Sequence, residues 1–103
     1  SYLILNYTSY TKEYAHIFEN KKIIKETLNF IGDNISQNIT LDMLAKNSSL
    51  SKYHFLRVFK KELGLTPHSF IINERINRAN ILLQSGVSIS EASQEVGFSD
   101  QSH

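Results

Sequence analysis

Cysteine is absent from the 103 residues, proline occurs once and glycine four times. Without thiols there is no disulfide, no thiolate nucleophile and no Cys-based zinc site, which fits a reducing cytoplasm. With so few glycines and prolines, and no alternation of β-branched residues at period two, little interrupts a helical pattern. No apolar run approaches the ~18 residues of a membrane span, so no membrane partner is expected. The opening Ser1-Tyr2-Leu3-Ile4-Leu5 is too short for a signal peptide and lacks its basic flank. An excess of one charge is missing too: 11 basic and 10 acidic residues leave a net charge of +1. Bulk charge therefore does not announce a nucleic-acid binder.

What is present is ordinary globular material. Hydrophobic residues make up 41% and charged residues 20%, enough for one core and against disorder. The length suits one domain. The charge is unevenly placed. Lys46, Lys52, Arg57, Lys60 and Lys61 fall in one stretch without an acid, whereas Glu91, Glu95 and Asp100 fall in a C-terminal stretch without Lys or Arg.

Apolar residues recur at helical spacing nearly throughout, so the fold class is all-α. Leu3, Tyr7, Tyr10, Tyr14 and Ile17 alternate steps of four and three, predicting a first helix over about 2–19 with a coiled-coil-like seam. That helix is either a linker or dimer helix from an upstream domain, or one that packs on its own domain. A second helix is expected from about Lys21 to Asn34, with Ile23, Ile24, Thr27, Leu28 and Ile31 on one face and Gly32 weakening its end. Ser36-Gln37-Asn38 forms a loop.

Thr40 then caps a short helix ending near Asn47, with Asp42 in its first turn. After the turn Asn47-Ser48-Ser49, Ser51 caps a helix to about Leu63, closed by Gly64. Thr66-Pro67 opens a long helix to about residue 85, with Thr as cap and Pro at the first helical position. Phe70, Ile71, Ile76, Ala79, Leu82 and Leu83 mark its expected buried side, and Gly86 its stop. Ser88 or Ser90 caps a further helix, Ile89 to Glu95. A last helix is expected to start near Asp100.

Leu44-Ala45, a turn, Leu50, Phe55 and Val58 form a helix-turn-helix pattern. The small Ala45 lets two helices cross closely, and the second projects where it can enter a major groove. Ser49 stands at the turn position usually taken by glycine, a departure expected to be mild. The pattern repeats: Leu44 and Ala92, Ala45 and Ser93, and Leu50 and Phe98 are each 48 residues apart, and in the second unit the turn glycine is present as Gly97. A connecting helix of about 18 residues spans ~27 Å, near the ~34 Å between successive major-groove faces.

These residues resemble the DNA-binding domain of the AraC/XylS regulators. The resemblance runs from Ile23 to His103. It is carried by Ile39-Thr40-Leu41, Leu44-Ala45, the run Leu50 to Lys61, Gly64, Thr66-Pro67, Phe70-Ile71, Arg75-Ile76, Ala79, Leu82-Leu83, Ser88-Ile89, Glu91 and Val96 to Ser102. It implies residues 21–103 as the DNA-binding domain and 1–20 as a linker or the remnant of an upstream domain. The first helix-turn-helix covers about 40–63, the connecting helix about 66–85, and the second unit starts near 88, each unit homeodomain-like and three-helical. Ser93 departs from the family's Ala, and the family's remaining recognition helix is not in the chain, so a partial domain is expected.

On the 51–63 helix, Phe55, Val58 and Phe59 face inward, leaving Lys52, Tyr53, Leu56, Arg57, Lys60 and Lys61 outward. Tyr53, Leu56 and Arg57 match the family's base-reading positions: Arg57 can fork onto guanine O6 and N7, and Leu56 can pack on a thymine methyl. Ser51, Lys52, Lys60 and Lys61 suit phosphates. In the second unit Gln101 and Ser102 fall at base contacts, with His103 beside them. Against this, a cationic helical face is often merely solvated, and Arg57 could pair with Glu62 or Glu74.

No two of His16, His54, His68 and His103 stand at i, i+3 or i+4, so no metal is expected, and no cofactor either. Similar units occur on DNA-repair alkyl-acceptor domains, but those need a reactive cysteine. With no nucleophile–base pair and no phosphate-binding glycine loop, no enzyme is expected. The resemblance implies a sequence-specific transcription regulator, usually an activator, of bacterial cytoplasm and nucleoid. Its partners would be double-stranded DNA, RNA polymerase and an upstream sensor or receiver domain, with a second copy of the chain as the partner the seam would serve. Arg75 is implied to be structural, bridging helices through its Glu74 side or through carbonyls.

Overall fold

The computed structural model describes the backbone of residues 2–98 and the side chains of residues 15–98. Five helices follow in chain order, with no strand among the described residues: α1 (Tyr2–Asp33), α2 (Leu41–Asn47), α3 (Lys52–Leu63), α4 (Pro67–Gln84) and α5 (Ile89–Glu95).

The two N-terminal helices expected from the sequence are one. Nothing between Glu19 and Lys22 breaks a helix, because Asn20 and the lysines merely lack apolar side chains and the backbone ladder runs on through them. At 32 residues, α1 is about 48 Å long. Its C-terminal half lies in the body of the domain, and its N-terminal half draws the molecule out to 67 Å in a body 26 by 19 Å across. The radius of gyration is 18.2 Å, against about 13 Å for a compact chain of this length.

The first core joins α1, α2, α3 and the start of α4. Ile24, Ile31 and Ile35 meet Leu44, Ala45, Phe55, Val58, Phe59 and Ile71. Phe59 is central: its ring lies 5.8 Å from that of Phe55 and 6.0 Å, edge-on, from that of Phe70, both favourable aromatic geometries. Thr27 is buried among them, and its hydroxyl donates to the Ile23 carbonyl at 2.8 Å, so the polar atom is satisfied within the helix.

Each helix after α1 begins on a hydroxyl cap. Thr40, Ser51, Thr66 and Ser88 accept from Met43, His54, Ser69 and Glu91 backbone N–H groups respectively. Of the two serines open for α5, Ser88 is the cap. Gly64 closes α3 in the left-handed conformation at φ +78°.

The buried side of α4 differs from the apolar stripe expected. Pro67, Ile71 and Arg75 are buried, and Phe70 is partly buried on the core, but Ile76 is 44% exposed and Leu83 39%. Ile71 belongs to the core shared with α3, and Arg78 and Leu82 share a cleft with Glu95 and Val96 at the end of α5, so the inner side of α4 runs through Ile71, Arg75, Arg78 and Leu82 and leaves Ile76 and Leu83 more exposed.

Two arginines on that inner side hold α4 to the end of α1 and the loop after it. Arg75 is 2% exposed; its Nε donates to the Ile35 carbonyl at 3.0 Å and its Nη2 to the Gln37 carbonyl at 2.7 Å. Arg78 Nη1 donates to the Gly32 carbonyl at 3.2 Å. Helix α1 has no basic residue in its own last turn, so Arg78 meets its partially negative end instead, and Arg75 meets carbonyls of the loop that follows. A Cβ on Gly32 would stand 3.3 Å from Arg78 Nη2, so the close approach uses the missing side chain. Arg75 thus bridges through carbonyls, while Glu74 pairs at 3.7 Å with Arg78.

Candidate nucleic-acid interface

The turn between α2 and α3 is built by the backbone. Ser48 N–H donates to the Leu44 and Ala45 carbonyls, Ser49 N–H to that of Lys46, and Leu50 N–H to that of Ala45. Ser49 sits at φ +57°. The left-handed conformation is therefore required here, and serine adopts it against a steric cost that glycine would not pay. The departure expected to be mild is a strained position.

The repeat read from the sequence extends to this geometry. Forty-eight residues after Ser49, Gly97 has φ +89°. Gly97 N–H donates to Gln94, as Ser49 does to Lys46, and Val96 N–H to Ala92, as Ser48 does to Leu44. Leu44, Ala45 and Ala92 are fully buried, whereas Ser93 is half-buried. Two helix-turn-helix starts of the same construction are present.

Helix α3 stands with Phe55, Val58 and Phe59 buried beneath it. Lys52, Tyr53, His54, Arg57, Lys60 and Lys61 are exposed, as is Ser51 before them. Tyr53 is 78% exposed, although it is a large aromatic side chain. Neither acid weighed as a partner takes Arg57: Glu74 is engaged with Arg78, and the two ion pairs found among the described residues leave out Arg57 and Glu62. Arg57 instead lies over the ring of Tyr53, its guanidinium carbon 5.8 Å from the centroid.

The cations of this face do not all have the same standing. Lys60 and Lys61 lie in the last turn of α3, where positive charge favours the helix dipole whatever else it does. Lys52 opens the helix, with no acid in its first turn, so its charge works against the dipole and helix stability does not account for it. Ser51 spends its Oγ as an acceptor on His54 N–H at 3.1 Å, which leaves its O–H able to donate.

Leu56 is placed differently from the expected outward face. It is half-buried, on the wall of a cleft of about 270 Å³ between α2, α3 and the start of α4. Ile39, Leu41, Leu44, Pro67 and Ile71 share that wall, so part of its apolar surface is already committed to packing.

Gln101, Ser102 and His103 lie outside the described residues, as do the helix expected from Asp100 and the side chains of Leu3, Tyr7, Tyr10 and Tyr14. What the sequence reading missed is how the second unit is seated. A Cβ on Gly97 would meet the Ile35 and Ser36 carbonyl oxygens at 3.0 and 3.1 Å. The α1–α2 loop therefore touches Arg75 and the turn of the second unit together, while Arg78 holds the last turn of α1 just before it. The available signal was Arg75 and Arg78, three residues apart on one face of a helix otherwise read as apolar.

Taken together, this is the architecture of a DNA-binding protein of the helix-turn-helix class: a cationic helix carried by a capped partner helix and a left-handed turn. The family model described as a helix-turn-helix domain matches residues 44–103, and the chain belongs to that family, of AraC type. Among similar proteins are two uncharacterized HTH-type transcriptional regulators of Bacillus subtilis (strain 168). YbfI is 42% identical over 80 residues, 78% of this chain and 29% of the relative. YfiF is 36% identical over 96 residues, 92% of this chain and 31% of the relative. The lactose operon transcription activator of Staphylococcus xylosus is 31% identical over 78 residues, 75% of this chain and 28% of the relative. The chain thus spans about three-tenths of the length of these curated relatives. No helix among the described residues is long and apolar enough to cross a membrane.

Proposed function

We propose that this chain is the DNA-reading part of a transcription regulator, with α3 as the recognition helix of its first unit. The observation that supports this most is the division of α3 into a buried phenylalanine–valine face and a bare cationic face whose arginine has no carboxylate partner among the described residues. Arg57 and Tyr53 would meet base edges in the major groove, with the exposed part of Leu56 beside them. Lys52, Lys60, Lys61 and the hydroxyl of Ser51 would hold phosphates on either side. Gln101 and Ser102 would serve the second unit in an adjacent groove, at a spacing set by the 18 residues of α4. Activation, contact with RNA polymerase, control by an upstream sensor or receiver domain, and work in the bacterial cytoplasm at the nucleoid complete the reading. The named activator of Staphylococcus xylosus favours activation over repression.

The test is a mobility-shift titration on DNA selected from a random pool, repeated at several salt concentrations. Arg57→Ala is expected to relax preference at one base pair, by about 1–3 kcal/mol of discrimination, while Lys60→Ala weakens all sequences alike. Equal losses on selected and random DNA for both variants would remove the assigned roles.

The N-terminal half of α1 supports a second role, self-association through a paired helix. Ile17 and Phe18 are exposed there, Phe18 by 65%, on a helix whose 3–4 seam continues the row that buries Ile24 and Ile31. Deleting residues 1–20 and measuring sedimentation separates the two uses of this helix. A loss of dimer with monomeric folding intact favours pairing, whereas an unchanged monomer rules it out.

A further inference from the structure

The contact between Tyr53 and Arg57 carries an inference that rests on the reading of α3 as a recognition helix. The C-terminal neighbours of Arg57 on its own face, Lys60 and Lys61, are both cations and both exposed. Like charges at these spacings repel, and helical side chains lean toward the helix N-terminus in any case. Both effects carry the guanidinium toward residue 53, where it lies over an aromatic ring at 5.8 Å. That is the end of a recognition helix that reaches base edges.

The kind of partner matters as much as its position. A carboxylate at residue 53 would also hold the arginine, but through its N–H donors and at the expense of its charge. The face of an aromatic ring attracts the cation without taking up a donor, so all five N–H groups remain for a guanine edge or a phosphate. The phenol ring has few rotamers and is fixed to the helix beside the groove-facing residues, so it limits the volume the long arginine side chain explores before DNA arrives. We infer that Tyr53 is a positioning residue for Arg57, and that the pair reads one base pair as a unit rather than as two independent contacts.

The experiment is a double-mutant cycle in the full-length protein on its selected site and on the three substitutions of the base pair that Arg57 reads. Tyr53→Ala is expected to lower the guanine preference at that base pair by about two- to fivefold, the range of an exposed cation–π contact. Tyr53→Phe, which keeps the ring, is expected to retain it. In the Arg57→Ala background, Tyr53→Ala is expected to change nothing further at that base pair. Thermal unfolding controls for folding, and little change is expected because Tyr53 is mostly exposed. The inference is overturned if the two losses multiply independently, if Tyr53→Phe loses as much as Tyr53→Ala, or if Tyr53→Ala weakens all four sites by one factor. Should Arg57→Ala leave preference unchanged at every position, the recognition-helix reading itself fails, an outcome distinct from failed coupling.

Discussion

Ser49 and Gly97 hold the same place in two successive turns, and both have positive φ. Glycine reaches this conformation freely, whereas a side chain costs about 1–2 kcal/mol in the left-handed region. Part of that cost is offset because glycine loses more backbone freedom on folding. Ser49→Gly is therefore expected to stabilise the domain by about 0.5–1 kcal/mol, seen as a higher urea midpoint with an unchanged slope. A destabilised variant would mean the hydroxyl has a role that outweighs the backbone strain. Arg75 shows the opposite economy. A fully buried cation is tolerated because it donates to two loop carbonyls just past the end of α1, and those buried acceptors would be costly to leave without donors.

Helix α5 is short, at seven residues, and could not hold a fold of its own. It is seated by Ala92 and Val96, both buried, by α4, and by the approach of Gly97 to the loop after α1. A methyl group at Gly97 would meet backbone oxygens of Ile35 and Ser36 and would also need a strained φ. Gly97→Ala is expected to cost about 1–3 kcal/mol. Hydrogen exchange is expected to report faster opening of α5 while α2 and α3 stay protected. Uniform loss of protection would mean that the two units open as one.

Among the described residues a long α1 leads into the turn-linked pair α2–α3, and α4 carries the chain on to α5 and the turn after it; α3 holds Lys52, Arg57, Lys60 and Lys61 against the single acid Glu62, although the chain is almost neutral. Binding to DNA is then expected to be strongly salt-dependent despite a net charge of +1, because local phosphate neutralisation sets the slope, not the total charge. Each phosphate neutralised contributes about −0.9 to the slope of log K against log salt. Lys52→Ala is expected to make that slope shallower by about one, with base preference unchanged, since the charge at that place serves no helix-stabilising purpose. An unaltered slope would put Lys52 away from the backbone of the duplex.

The positions of α2 to α5, their hydroxyl caps, the buried residues of α3 and the repeat at 48 residues were legible in the chain, because each depends on local periodicity or on a residue within one turn of the one it serves. The all-α class and the cationic face of α3 follow from the same short-range chemistry. Packing across distance had to come from the fold. One continuous α1, a half-buried Leu56, the exposed Ile76 and Leu83 of α4 and the seating of Gly97 depend on which surfaces meet. That Arg75 and Arg78 would close the end of α1 and the loop after it is a contact across roughly forty residues, and no periodicity records it. Whether Arg57 would be spent on Glu62 or Glu74 was equally undecided by spacing, since one acid lies on its own helix and the other on the next. Glu74 pairs one turn along its own helix with Arg78, and the Arg57 guanidinium stays outside over Tyr53, because only the packing of α4 on α3 decides whether an acid of one helix comes near a cation of the other.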